Sequence, residues 1–454
     1  MMDIDIQGYM ARVPEMQRFL TVDELARDLE GLAQAYPDLT RYRRVGTSRL
    51  DEPIHMLSIG DGRKDAFLFA CPHPNEPIGA MMVNYFSRLL CEDDALRSAL
   101  DFTWHLIPCI DPDGTRLNEA WFAGPFTPRN YARHYYRPAF HQQVEWTFPV
   151  SHKNLYFDAT LPETEALMRV IDDIQPALLY SLHNAGFGGV YYYLSRPHDA
   201  LYPTFHQLPE WESLTLDLGE PEVPWAVEFA PAIYKMPTVG ESYDFMEQFG
   251  GDPTSSLAGA SSDDYASRYG TTTLVVEMPY YDDPRSNDRS ETSTLRRDAI
   301  LGGIAHRREQ AEFLQQQYSA VVRDLRANSP FRETTEAAVR NGMGSLEAHE
   351  RWASESDETA RPATVAECFS NDQMTQFYRL LSVGQFIRLL EGELGIGNGT
   401  PAIRAAMDTA TETFDQWATR LEAATPANPI PIRKLVAVQF GAALATAAHL
   451  QQQS

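Results

Sequence analysis

The stretch that decides the fold is AFLFACPHPNEP, residues 66–77. Its first six residues form a short apolar run, which is typical of a strand buried inside a sheet. After Pro77, apolar side chains recur at helical spacing at Ile78, Met82, Tyr85 and Leu89. A buried strand that leads through a short turn into a helix is the unit from which parallel sheets covered by helices are assembled.

The alternation of strands and helices extends along the chain on both sides of this stretch. Strand-like runs cover residues 104–110, 177–182 and 271–276, and a capping box, Thr21-Val22-Asp23-Glu24, starts a helix over residues 22–36. This order of elements predicts an α/β fold with a mixed, mostly parallel central sheet and helices on both faces.

The last third of the chain has a different character. Residues 326–367 are polar and charged, whereas residues 377–390 and 436–450 are apolar-rich helical segments. We therefore expect one domain over residues 1–325, and a polar linker or loose cover followed by a helical C-terminal appendage over residues 326–454. Periodicity does not decide whether these helices cover this domain or form a homo-oligomer with a second copy.

Composition excludes several classes of protein. The chain has 454 residues, of which 43% are hydrophobic and 22% charged, as in ordinary globular proteins. Its 63 acidic and 38 basic residues give a formal charge of −25, which makes nucleic acid an unfavourable partner. The first residues lack a signal-peptide pattern, and no apolar run is long enough to span a membrane. We expect a cytoplasmic protein without membrane contact.

Four side chains with metal-binding or acid-base chemistry follow three of the predicted strands. His73 and Glu76 follow the first strand, His183 follows residues 177–182, and Glu277 follows residues 271–276. The His-x-x-Glu pair alone is a weak signal, because twelve histidines in an acidic chain produce about one such pair by chance. Its position strengthens it, because open α/β sheets bind ligands at the carboxyl ends of their strands.

These residue types match a hydrolytic zinc site. Catalytic zinc takes three protein ligands and keeps one position open, and two histidines with one glutamate are a standard ligand set. His73, Glu76 and His183 complete that set, which predicts one Zn²⁺ per chain. Glu277 is then the candidate general base that accepts a proton from the attacking water.

At this point the sequence resembles the zinc metallocarboxypeptidases of the carboxypeptidase A type, over roughly residues 10–325. The segments that carry the resemblance occur in the order typical of that family: Tyr36-Pro37-Asp38-Leu39, Gly46-Thr47-Ser48, His73-x-x-Glu76, Asp111-Pro112-Asp113-Gly114, Pro162-Glu163-Thr164-Glu165, His183 and Glu277. The resemblance implies that residues 1–325 are a catalytic domain. It also implies a peptide substrate from which zinc-dependent hydrolysis releases the C-terminal residue.

Two arginine positions of the family are altered or ambiguous. The family binds the substrate carboxylate with an arginine for which this chain has Trp146, in Glu145-Trp146-Thr147. Tryptophan cannot form a bidentate ion pair with a carboxylate. For the arginine that polarises the scissile carbonyl, the resemblance favours Arg129, with Arg133 and Arg137 as competitors. Any of these three could also bind the substrate carboxylate.

The specificity pocket differs as well. The mobile tyrosine that the family places about twenty residues before the catalytic glutamate is missing. Counting back from Glu277 brings Asp263 or Asp264 near the floor of the pocket, where a carboxylate favours a basic side chain. The alternative role of either aspartate is to cap a helix.

Two alternatives to a carboxypeptidase remain open from the sequence. One is a zinc amidase or deacylase that acts on a small or modified substrate, because such an enzyme needs no residue to bind a terminal carboxylate. The other is a metal-free binding or scaffold protein whose C-terminal helices recruit a partner, which leaves Glu277 without a role.

Overall fold

A computed structural model describes residues 4–453, apart from a few side chains. Nine strands form the central sheet, in the order β1, β2, β4, β3, β7, β12, β9, β11, β10. The strands of the chain are β1 (Thr40–Thr47), β2 (Pro53–Ile59), β3 (Lys64–Ala70), β4 (Phe102–Ile107), β5 (Val150–His152), β6 (Leu155–Phe157), β7 (Leu178–Leu182), β8 (Phe187–Gly188), β9 (Tyr191–Leu194), β10 (Glu228–Ala230), β11 (Ile233–Lys235), β12 (Thr272–Glu277), β13 (Tyr281–Asp282), β14 (Glu291–Leu295), β15 (Pro362–Thr364) and β16 (Asn428–Pro429).

The middle of the central sheet is parallel and its margins are antiparallel. β4, β3, β7 and β12 run parallel to one another, and every residue of β7 and β12 is buried. β2 pairs antiparallel with β4, and β9 pairs antiparallel with β12. The four parallel strands are those that the apolar runs of the sequence predict, and the mixed α/β sheet is confirmed.

The helices of the structure are α1 (Ile6–Met10), α2 (Val22–Ala35), α3 (Ile78–Glu92), α4 (Asp94–Leu100), α5 (Pro112–Arg116), α6 (Pro128–His134), α7 (Pro162–Ile174), α8 (Tyr202–Trp211), α9 (Val239–Gln248), α10 (Pro253–Ser256), α11 (Ser262–Ala266), α12 (Arg296–Val321), α13 (Pro330–Asn341), α14 (Gly344–Glu355), α15 (Val365–Phe369), α16 (Thr375–Gly395), α17 (Pro401–Ala424) and α18 (Ile432–Gln451). The capping box predicted at the start of α2 is present, because the Thr21 hydroxyl accepts from the Glu24 N–H and the Glu24 carboxylate accepts from the Thr21 N–H.

Helices cover both faces of the sheet. Alternate residues of β3 point in opposite directions, so that Leu68 joins the apolar core that contains α2, α3 and α18, and Phe67 joins the core that contains α7. Both cores exclude solvent at the sheet, because the large apolar side chains of β3 and β4 have no exposed surface. The loops at the strand ends are therefore the parts of the sheet that can present polar side chains to a ligand.

The C-terminal third is helical, as expected, but it is not a loose addition to the sheet. Two helices, α13 and α14, lie in the segment that the composition favours as a linker or loose cover, and both pack on the long helix α12. The last helix, α18, is buried against α3 and β7. The domain boundary at residue 325 stays a prediction. None of the helices described in residues 4–453 has the length and apolar character needed to cross a membrane.

Candidate active site

The carboxyl ends of β3, β7 and β12 bring together the four side chains that the sequence singled out. Cys71, directly after β3, has a left-handed backbone with a φ of 55°, and the chain turns there toward His73 and Glu76. His183 directly follows β7 and lies in parallel register beside Glu277, the last residue of β12. The left-handed conformation of Cys71 is strained for a non-glycine residue, and such strain is common where a chain must place functional groups.

His73, Glu76 and His183 form a compact buried cluster. Each contributes one potential ligand atom, and these atoms lie within 4.8 Å of one another. His183 Nδ1 is 3.2 Å from Glu76 Oε2. The Nδ1 atom of His73 is buried and has no hydrogen-bond partner among the described residues. An unpaired buried imidazole nitrogen beside a second imidazole and a carboxylate is the donor set that zinc accepts, so these residues fit the metal.

The charges around the cluster also favour a cation. Burial, together with Arg137 and His183, lowers the pKa of His73 well below its ordinary value, so this ring is neutral and able to ligate. Burial acts in the same direction on His183, but Glu76, Glu277 and Glu145 outweigh it and raise its pKa to about 9. The surrounding carboxylates thus favour positive charge at the position of His183, which is the electrostatic setting that a metal cation requires.

A second layer of hydrogen bonds orients His183. Its Nε2 lies 2.8 Å from the hydroxyl oxygen of Ser181, and the Ser181 hydroxyl donates to Glu145 Oε2 at 3.0 Å. Glu145 is held in turn by the N–H and hydroxyl of Ser262, at 2.9 and 2.6 Å. With Nε2 donating to Ser181, Nδ1 is the ring nitrogen that faces Glu76 and the centre of the cluster. A support of this kind fixes the tautomer and the ring orientation of a metal ligand.

Glu145 and Ser181 were not singled out from the sequence, although one signal was available. Ser181 is a small polar residue within the apolar run that forms β7, and it precedes His183 by two residues, so it lies on the same side of the strand. Glu145 had no such signal. It was considered only as a neighbour of Trp146, and its distance in sequence from Ser181 and Ser262 conceals the contact.

Glu277 lies beside the cluster with little access to solvent. Its Oε1 is 4.0 Å from His183 Nδ1, and 11% of its side chain is exposed. Burial, Glu222 and Glu76 raise its pKa well above the ordinary range, although His183 and Arg137 act in the opposite direction. The structure therefore brings Glu277 to the cluster without making it part of the three-residue group.

Of the three candidate arginines, the structure brings Arg137 into the site and the other two away from it. Arg137 Nη1 donates to Glu76 Oε1 at 3.0 Å, and its Nε donates to Gln143. Burial lowers the pKa of Arg137, but Glu76 and neighbouring groups outweigh this and keep the guanidinium charged. Arg137 is therefore the candidate for the role that the resemblance assigned to Arg129.

Arg129 and Arg133 are occupied elsewhere. Arg129 donates to Asp415 at 2.6 Å and to Glu422 at 2.9 Å, both on α17, and Arg133 pairs with Glu391 on α16. Neither lines the cavity that contains the metal cluster. The preference for Arg129 was wrong because the C-terminal helices supply carboxylates that hold it on the surface.

The cluster opens into a cavity of about 250 Å³, which we call the inner cavity. Trp146 forms part of its wall, with its ring stacked against His73 at 6.3 Å and against Phe140 at 5.6 Å between centroids. Across from the strand ends, α16 contributes Phe377, Tyr378 and Leu381. The cavity therefore has one wall made of strand ends and one made by a C-terminal helix.

The two aspartates considered for specificity have other positions. Asp263 is buried in the first turn of α11 and does not line the inner cavity. Burial raises its pKa to about 6. The cap of α11 is Ser261, and the Asp264 carboxylate accepts from the Val239 N–H at 3.3 Å. Neither aspartate caps the helix, and Asp263 does not form the cavity floor expected of a specificity residue.

The comparisons with known proteins identify the family of the chain. Residues 25–283 match the sequence model of the zinc carboxypeptidase family, which spans more than half of the chain and includes all four strand-end residues. No curated protein matches the chain at a significant level.

Several solved structures are similar at low identity. Carboxypeptidase A from Helicoverpa armigera has 15% identity, a TM-score of 0.40, and coverage of 61% of this chain and 70% of its own. Bovine thrombin-activatable fibrinolysis inhibitor has 12% identity and a TM-score of 0.37, and the match covers 57% of this chain and 86% of its own. A metallo-carboxypeptidase from Burkholderia cenocepacia has 15% identity and a TM-score of 0.34, and the match covers 57% of this chain and 60% of its own. The family match over residues 25–283 carries the assignment: the chain belongs to the zinc carboxypeptidase family and is a zinc metallopeptidase.

Proposed function

We propose that the protein is a metallocarboxypeptidase that releases the C-terminal residue of a peptide, with Glu277 as the general base. The observation that carries this proposal is the position of Glu277, 4.0 Å from His183 and outside the three-residue cluster. A carboxylate in that position can reach a water molecule at the cluster without itself being one of the metal ligands.

His73, Glu76 and His183 would hold the zinc ion, which supplies Lewis acidity for the carbonyl group and for the attacking water. Glu277 takes the proton from the water as the oxygen bonds to the carbonyl carbon. The same carboxyl group then gives the proton to the amine as the carbon–nitrogen bond breaks. Its buried surroundings, which disfavour the charged carboxylate, make it a stronger proton acceptor than an exposed glutamate.

Arg137 supplies the fixed positive charge of the site. Its Nη1 bonds to Glu76, and its backbone N–H donates to the Gln385 side chain of α16, so its position is set from two directions. A guanidinium held in this way can stabilise negative charge that develops on the carbonyl oxygen. It is also the only lysine or arginine that lines the inner cavity within residues 4–453.

A second candidate function follows from Trp146. Its stacked indole occupies part of the wall where the family has a carboxylate-binding arginine, and it offers no charge to a free C-terminus. If Arg137 serves only the carbonyl, the enzyme is an amidase or deacylase. We favour the carboxypeptidase, because the planar guanidinium of Arg137 can also receive a carboxylate.

The test compares one peptide as the free acid and as the C-terminal amide, using the zinc-loaded full chain. A carboxypeptidase should prefer the acid by at least about tenfold in kcat/KM, roughly 1.4 kcal/mol. Arg137→Gln should abolish that preference, whereas Arg129→Gln, which removes an arginine from the surface, should retain it. Equal rates on both forms in the unchanged protein would establish the amidase instead.

A further inference from the structure

A second cavity adjoins the inner one. It has a volume of about 510 Å³, and we call it the outer cavity. The two cavities share Tyr135, Glu222, Tyr378 and Leu381 as lining residues, so these four side chains stand at the boundary between them. A peptide whose scissile bond lies at the cluster of His73, Glu76 and His183 extends past this boundary if it is longer than the inner cavity can hold.

Glu222 is the charged group at that boundary; it is exposed to solvent, and two hydrogen bonds orient its carboxylate. The Tyr191 hydroxyl donates to Oε1 at 2.7 Å, and the Tyr193 hydroxyl donates to Oε2 at 2.9 Å. Both tyrosines lie on β9 and are buried. Within residues 4–453 no lysine, arginine or histidine forms an ion pair with this carboxylate, and each of its oxygens can accept a further hydrogen bond.

The acidic side chains that line the inner cavity outnumber the basic ones. Four carboxylates line it, those of Glu76, Glu145, Glu222 and Glu277, against the one guanidinium of Arg137. Glu76 is bonded to Arg137, and Glu145 is bonded to two serines. Glu277 is the proposed general base, so Glu222 is the one of these four carboxylates that has no other role in the site.

The other charged groups that line the outer cavity either have partners of their own or lie outside the inner cavity. Glu220 is paired with Arg296 at 2.7 Å, and the Asp217 carboxylate accepts from the N–H groups of Gly189 and Gly219. Arg307 lines the outer cavity but not the inner one. A substrate group near the reacting bond thus meets Glu222 before it can meet Arg307.

We propose that Glu222 binds a cationic side chain of the substrate, an ammonium or a guanidinium group, at the boundary of the two cavities. This inference rests on the proposed function. Tyrosine rings attract cations, and Tyr378 of α16 lines the same boundary as Glu222. Tyr378 and Leu381 of α16 line this boundary together with Glu222, so a C-terminal helix contributes to the proposed site.

The first test uses hexapeptides in which one lysine is moved residue by residue, each paired with a peptide that has norleucine at the same position. Norleucine has a similar length without the charge. At one position, kcat/KM should favour lysine by at least about fivefold, as expected for one partly exposed ion pair. Glu222→Gln should bring that ratio close to one. Glu210→Gln, an exposed glutamate at the end of α8, is the matched control and should leave the ratio unchanged.

A second pair of variants separates a bound charge from a general change in shape. Tyr191→Phe and Tyr193→Phe each remove one hydrogen bond to Glu222, and each should lower the lysine ratio by about twofold, mainly through KM. Arg307→Gln should leave the ratio as it is. A preference for glutamate over lysine that Arg307→Gln abolishes would overturn the proposal, and so would a lysine ratio that Glu222→Gln does not change.

Binding without turnover distinguishes this proposal from the proposed function. In Glu277→Gln, calorimetry should show tighter binding of the lysine peptide than of its norleucine partner, and the further change Glu222→Gln should remove the difference. If the unchanged protein cleaves none of the peptides while this difference persists, the proposed function fails and the cation site stands. If cleavage occurs but the two peptides bind equally, the cation site fails alone.

Discussion

The inner cavity has two walls of different origin. One consists of the strand ends that present His73, Glu76, His183 and Glu277, and all of it lies within the segment that matches the zinc carboxypeptidase family, residues 25–283. The other is formed by α16, at residues 375–395, outside that segment. The reacting groups therefore belong to the part of the chain that matches the family, and the part that follows completes the space around the substrate.

The two walls also differ in how they are held. The strand-end wall is supported by polar contacts, such as the line from His183 through Ser181 to Glu145. The helical wall is supported by packing, with the Phe377 ring stacked on Tyr131 at 5.8 Å. The last helix, α18, also supports the strand-end wall, because its buried Gln439 donates to the carbonyl oxygen of His183 at 2.8 Å. The following predictions separate the contributions of the two walls.

The largest effect should come from removing a metal ligand in the strand-end wall. His73→Ala should reduce zinc from about one ion per chain to a small fraction, measured by elemental analysis after dialysis. Activity should fall by more than about 10⁴-fold, beyond the loss expected for a missing general base. His206→Ala, on α8 and away from the cavity, is the control. Equal zinc in both variants would remove His73 from the site.

Glu277→Gln should separate catalysis from metal binding within the same wall. The amide has nearly the shape of the carboxyl group but cannot accept the proton, so turnover should fall by about 10²–10⁴-fold. Zinc content should stay at the level of the unchanged protein, since Glu277 is outside the three-residue cluster. Full activity in this variant would contradict the role of general base.

Ser181→Ala should weaken the support of the strand-end wall. Loss of the hydroxyl frees the His183 ring and leaves Glu145 without one donor, so zinc affinity should fall by about 10–100-fold. Competition with a chelator of known affinity measures this change. Ser87→Ala is a matched control, because Ser87 is also buried but donates only to the Val83 carbonyl of its own helix. A similar affinity loss in both variants would indicate a general loss of stability.

The smallest effect should follow from cutting the link between the sheet and α18. Gln439→Leu keeps the volume and leaves the His183 carbonyl oxygen without its donor, which should lower the free energy of unfolding by about 1–3 kcal/mol. Turnover should fall by less than in Ser181→Ala, because the ring itself keeps its partner. Thr446→Val on the same helix removes a hydroxyl that bonds only within α18. Urea unfolding of both variants, with and without chelator, makes the comparison.

The two walls were predicted from the sequence with unequal success. Runs of apolar residues ending in His73, His183 and Glu277 predicted the strand-end wall, because parallel strands line up their carboxyl ends by a general rule of the fold. The order of motifs along residues 10–325 predicted the family. The arginine of the active site was harder to predict, since Arg129, Arg133 and Arg137 all fit a spacing argument. Only packing against α16 and α17 decides which of the three reaches the site.

Elements with local causes can be predicted from the sequence: the buried strands, the capping box of α2, and the residue types at the strand ends. The tertiary structure alone decided which distant groups meet them. Glu145 reaches Ser181, Gln439 reaches His183, and Tyr378 reaches the boundary with Glu222. The physical reason is that periodicity reports which face of an element is apolar, whereas these contacts depend on how separate elements pack, and many alternative packings satisfy the same pattern.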